Sequence, residues 1–119
     1  MSALSKAREQ IAVMAKSLYD RGLTHGSTGN LSMRLDDGTY LVTPTGSSMG
    51  FLDPACISHL SETWALLSGD APTKEMPLHT AFYETRGATG AVVHLHSCHS
   101  VALSLLPEID QDNVLPPLT

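Results

Sequence analysis

Two histidines one residue apart, His94 and His96, are the sharpest chemical feature of the chain. They close the segment Ala91-Val92-Val93-His94-Leu95-His96, whose apolar, β-branched character predicts a buried strand. On a strand, side chains at i and i+2 share a face, so both imidazoles can converge on one ion. Neutral imidazole nitrogen suits zinc and similar divalent metals, and a carboxylate can complete the set. Glu75 is the carboxylate to consider. It lies in Pro72-Thr73-Lys74-Glu75-Met76-Pro77, beside Lys74 and a predicted helix start, where a negative charge is stabilised. Taken singly, the pair also fits histidines that bond to each other or to the backbone, and Glu75 fits a solvated charge. His99, three residues on, reads as structural or as a neighbour of a ligand.

Small residues supply a second kind of chemistry. Thr28, Gly29, Asn30, Thr45, Gly46 and Thr73 offer hydroxyl, amide and backbone donors without bulk, and Lys74 adds a positive charge. Phosphate groups favour such donors at loops and helix starts. Neither loop matches a nucleotide-binding fingerprint, and each alone also fits an ordinary turn.

The elements that must position these groups follow from periodicity. Residues 5 to 21 read as a helix with Ile11, Met14, Ala15, Leu18 and Tyr19 on one face, Ser5 as a cap and Gly22 just past the end. Residues 30 to 43 read as a hairpin turning at Asp36-Asp37-Gly38. Asp53-Pro54 opens a short helical turn. Strands follow at Ile57 to Ser61 and Trp64 to Leu67, closed by Gly69-Asp70. A helix runs from Pro77 to about Arg86, stopped by Gly87. After the histidine strand comes a helix over Val101 to Leu106, ended by Pro107, and an aperiodic tail to Thr119. Strands and helices mixed in one chain point to a layered α/β or α+β domain spanning residues 1–119.

Composition removes several function classes. The 119 residues are 42% hydrophobic and 16% charged, which favours a folded core over disorder. A net charge of -5 without a basic run argues against nucleic acid as a partner. No apolar run is long enough to span a bilayer, and the first residues lack a secretory apolar stretch. Two cysteines, with no CxxC pair, suit a reducing cytoplasm.

The order of the pieces is specific where each alone is not. Gly-Ser-Thr-Gly-Asn-Leu-Ser (26 to 32), Thr-Pro-Thr-Gly (43 to 46), Pro-Thr-Lys-Glu with Pro77 and His79 (72 to 79), Tyr83, Arg86 and Val-Val-His-Leu-His-Ser (92 to 97) fall in sequence. Over residues 5 to 106 this resembles the class II aldolase/adducin superfamily, the group of L-fuculose-phosphate aldolases and L-ribulose-phosphate 4-epimerases. The resemblance implies an α/β fold in α/β/α layers, with a central, mainly antiparallel sheet flanked by helices. It implies that His94, His96 and Glu75 bind a divalent metal, zinc or another, and that Glu75 is also the catalytic acid/base. It implies a phosphate- and carboxylate-binding role for Thr28, Gly29, Asn30, Thr45, Gly46, Thr73 and Lys74. Fuculose-phosphate aldolases typically carry Ser-Ser before the glutamate. Thr73-Lys74 is instead similar to the 3-oxo-tetronate 4-phosphate decarboxylase branch.

The expected activity is therefore a metal-dependent carbon–carbon lyase acting on a phosphorylated sugar acid. The resemblance leaves two alternatives: an aldolase or 4-epimerase of a phosphorylated ketose, and a non-catalytic adducin-like binding module. It also implies a homotetramer, a chain representing the N-terminal half of a longer enzyme, and a third metal histidine beyond Thr119.

Overall fold

A computed structural model describes residues 1–114; the end of the aperiodic tail, residues 115–119, lies outside the described residues. Helix α1 runs over Ala3–Asp20 and buries Ala7, Ile11, Ala15 and Leu18. Its cap is Ser2, three residues before the Ser5 expected from sequence: the Ser2 hydroxyl accepts from the Ser5 N–H at 3.1 Å. Ser5 is thus the capped residue, because Ala3 and Leu4 are good helix formers and extend the first turn. At the other end the Leu23 N–H reaches the Leu18 carbonyl and the Gly22 N–H the Tyr19 carbonyl, each at 3.0 Å. Gly22, at φ +76°, makes this left-handed stop without strain.

Strands β1 (Asn30–Arg34) and β2 (Tyr40–Val42) form the expected hairpin. A 3-10 turn follows at Pro54–Cys56, with the Asp53 carboxylate accepting from the Ala55 N–H at 2.9 Å. Strand β3 spans Ser58–Leu60 and β4 Leu66–Ser68. Trp64, expected to begin β4, stays in the turn at φ +71° and stacks on Tyr40, with ring centroids 3.9 Å apart. Helix α2 covers Met76–Thr85, β5 Ala91–His94 and α3 Cys98–Ser104. The last helix starts before its expected position because the Ser97 hydroxyl caps it, accepting from the Ser100 N–H at 3.2 Å.

The strands form one sheet in the order β4-β3-β2-β1-β5, antiparallel at every pairing. The pleat then sorts the side chains into two cores. Leu31 and Leu41 face α1 and pack with Ile11, Ala15, Leu18, Met49 and Ile57. Tyr40, Val42, Leu60 and Val92 face the other way and meet Tyr83 of α2. Helices therefore cover both faces of an antiparallel sheet, the α/β/α layering expected from the resemblance. No helix among the described residues is long and apolar enough to cross a membrane.

Candidate functional site

Register builds the site. Strand β5 pairs with β1 so that Asn30 stands opposite His94 and Ser32 opposite Val92. Directly opposed residues share a face, and Val92 belongs to the α2-side core, so Asn30, Ser32 and His94 lie on that side too. The strand stops at His94, two residues before the end expected from sequence. Even so, the His94 and His96 rings remain together, with centroids 4.8 Å apart and planes at 49°. Both residues are half-buried.

Helix α2 adds a group to which the residue pattern had given no role. His79 is fully enclosed, with 0% of its surface accessible. Its Nε2 lies 2.5 Å from Asn30 Oδ1, and its Nδ1 lies 2.6 Å from Ser32 Oγ. Ser32 Oγ is in turn 2.8 Å from the Tyr83 hydroxyl. Asn30 Oδ1 also meets His94 Nδ1, at 3.2 Å. Burial first, and the neighbouring His94 second, push the His79 ring down to about 4, with Glu75 partly offsetting both. His79 is therefore neutral at pH 7. Burial likewise raises Tyr83, which keeps its proton at neutral pH. Spacing was the available signal: His79 and Tyr83, four residues apart, form the buried face of α2.

The small-residue segments come together through backbone bonds. The Thr43 N–H donates to the Leu31 carbonyl at 2.9 Å, and the Leu31 N–H donates to the Thr43 hydroxyl at 3.1 Å. The Thr45 N–H reaches the Ala71 carbonyl at 3.0 Å, and the Thr73 N–H reaches Thr43 at 3.2 Å. Segments 28–31, 43–46 and 71–75 thus lie side by side. Thr45, Gly46, Lys74 and Glu75 are exposed, whereas Thr73 is buried and its hydroxyl accepts from the Glu75 N–H at 3.2 Å. The Thr28 hydroxyl donates to the His25 carbonyl at 2.7 Å, so it shapes its loop. Asn30 spends its carbonyl oxygen on the two histidines. A Cβ on Gly29, at φ +80°, would sit 2.7 Å from Thr24 Oγ1 and 3.3 Å from the His94 carbonyl.

Of the predicted metal ligands, the structure brings His94 and His96 together. Glu75 sits at the N-terminus of α2 without a capping bond, and no three His, Cys, Asp or Glu side chains cluster at metal-holding distance among the described residues. The donor chemistry nevertheless fits a metal in part. Two imidazoles converge, and a hydrogen bond at His94 Nδ1 would leave Nε2 as the atom open to a metal.

The fold is that of the class II aldolases: L-fuculose 1-phosphate aldolase matches 87% of this chain with a TM-score of 0.76 at 24% identity, the match covering 49% of that chain. The chain itself belongs to the Class II Aldolase and Adducin N-terminal domain family, which matches residues 9–119. It is 49% identical, over all 119 residues, to the 3-oxo-tetronate 4-phosphate decarboxylase of Cupriavidus necator, and spans 54% of that relative's length. The crystal structure of YgbL from Escherichia coli matches 99% of this chain with a TM-score of 0.87 at 43% identity, over 57% of that chain.

Proposed function

We propose that the complete protein is a divalent-metal-dependent lyase that converts a 3-oxo-tetronate 4-phosphate to dihydroxyacetone phosphate and carbon dioxide. The observation that carries this reading is the 49% identity to a decarboxylase along the whole chain. Lys74 agrees with it, as an exposed cation beside Glu75 that suits a substrate bearing both phosphate and carboxylate.

His94 and His96 would hold the metal with Glu75 and a ligand from beyond Thr119. When bound, the ion supplies Lewis-acid polarisation of the substrate's ketone oxygen. The residues of this chain do the rest. Gly29, Asn30, Thr45, Gly46 and Thr73 hold the phosphate and so fix the register of the reacting carbons. Lys74 holds an acidic group. The bond between the carboxylate carbon and its neighbour breaks, carbon dioxide leaves, and the electron pair stays as an enediolate. Glu75 then delivers a proton to the carbon that lost the carboxylate. A four-fold homotetramer with sites between subunits belongs to the same reading, by resemblance.

The test is incubation of the purified complete protein with 3-oxo-tetronate 4-phosphate, with and without chelator. Carbon dioxide and dihydroxyacetone phosphate should appear in equal amounts and vanish on metal removal. Glu75→Gln should abolish turnover while phosphate-ester binding survives. Release of an aldehyde without carbon dioxide would move the protein to the aldolase alternative, and undiminished turnover in Glu75→Gln would remove the acid/base assignment.

A further inference from the structure

We infer that His79 is a positioning residue: through Asn30 it fixes His94 as the tautomer protonated on Nδ1, so that the Nε2 lone pair faces the site. This rests on the reading of His94 as a metal ligand, because only an unprotonated nitrogen can ligate.

The network has a direction. A neutral imidazole carries one N–H, and a carbonyl oxygen has two lone pairs. Asn30 Oδ1 meets His79 Nε2 at 2.5 Å and His94 Nδ1 at 3.2 Å, so it accepts from both rings. The Nδ1 of His79 is then bare and accepts from the Ser32 hydroxyl at 2.6 Å. Ser32 Oγ accepts in turn from the Tyr83 hydroxyl at 2.8 Å. Each hydrogen that Tyr83, Ser32 and His79 place in this chain thus meets one acceptor.

The opposite direction fails at its end. It needs the Asn30 amide turned so that its nitrogen donates to both rings, His79 Nδ1 protonated and donating to Ser32, and Ser32 donating to Tyr83. The Tyr83 hydroxyl hydrogen would then lie in a residue only 3% accessible, with its one partner in the network already used as a donor. A buried donor without an acceptor costs about 1–3 kcal/mol. It would also put the proton of His94 on Nε2. Tyr83 therefore sets the polarity, and His79, enclosed between sheet and helix, transmits it to Asn30.

The consequence is two neighbouring histidines in opposite tautomers, pointing their N–H groups at one oxygen. Long-range proton–nitrogen NMR of the complete protein, 15N-labelled at histidine, metal-stripped and at neutral pH, reads this directly. His94 should show a protonated Nδ1 and a bare Nε2, and His79 the reverse. His79→Phe leaves the Asn30 amide free to turn, so His94 should become a mixture. Adding Asn30→Asp should restore the single tautomer, since a carboxylate oxygen can only accept; a merely structural loss would not be rescued. Zinc affinity, measured against a chelator, should fall about 10- to 100-fold in His79→Phe. If that variant fails to fold, Ser32→Ala is used in its place, with the same direction of change expected. A wild-type His94 protonated on Nε2, or a His94 tautomer unmoved in the folded variant, overturns the proposal. The spectra need neither metal nor substrate. Opposite tautomers in a protein that releases no carbon dioxide would sink the decarboxylase reading and leave this one standing.

Discussion

Gly29→Ala tests how tightly the loop before β1 is held against the histidine strand. Two costs combine. Gly29 has φ +80°, where a Cβ costs roughly 1–2 kcal/mol. The new methyl would also lie 2.7 Å from Thr24 Oγ1, a contact that forces a shift. Thr24 is 1% accessible, and its hydroxyl is committed to the Thr28 carbonyl at 2.8 Å, so moving it breaks a buried hydrogen bond worth about 1–2 kcal/mol. The sum is a loss of about 2–4 kcal/mol in denaturant unfolding. Gly46→Ala is the control, since Gly46 has φ +70° but nothing within 4 Å of its would-be Cβ; it should lose only about 1–2 kcal/mol. In a Thr24→Ala background the Gly29→Ala penalty should shrink by at least about 1 kcal/mol. Equal losses at Gly29 and Gly46, or an additive cycle, would refute the claim that Thr24 and Gly29 are locked together.

His79 makes stability depend on pH. Its ring sits at about 4 in the folded protein and near 6.5 when unfolded, so between those values the unfolded chain binds the extra proton. The contribution is whole above pH 6.5 and lost as pH falls toward 4, by about 2–3 kcal/mol; a urea series across that window should show the slope, and His79→Phe should flatten it. Trp64→Ala keeps the positive φ and loses the stacking on Tyr40, whereas Trp64→Gly loses the stacking but relieves the backbone. The glycine variant should be the more stable by about 1 kcal/mol in thermal unfolding, and the reverse order would exclude strain at Trp64. Lys74→Ser should raise KM more for acidic sugar phosphates than for neutral ones, and equal effects would detach Lys74 from the substrate carboxylate.

Much of the fold was legible because periodicity is a strong signal when one face is buried. The Ile11, Ala15, Leu18 stripe of α1 and the hairpin around Asp36-Asp37-Gly38 are examples. Boundaries moved where a hydroxyl made a cap, as at Ser2 and Ser97, or where an aromatic contact outweighed strand propensity, as at Trp64. The paired histidines were visible from their spacing. The value of Asn30 was only half visible: its residue type suggested an anion contact, but its bonds to His79 and His94 depend on register between residues 64 and 49 positions away. Local pattern carries no such information, and a histidine within the buried stripe of α2 was the one hint that a polar partner waited opposite.

The backbone bonds among segments 28–31, 43–46 and 71–75 bear on how such a protein can be re-engineered. Thr43, the Pro44–Pro72 bridge, Thr45 and Thr73 are stitched to one another. A graft that changed the backbone path of 71–75 alone would leave the Thr45 N–H and the Thr43 carbonyl to find new partners. The two loops therefore hold their backbone paths jointly: a redesign that bends one must bend the other to keep their shared bonds, while the exposed side chains of Thr45 and Lys74 can be exchanged without breaking any of them.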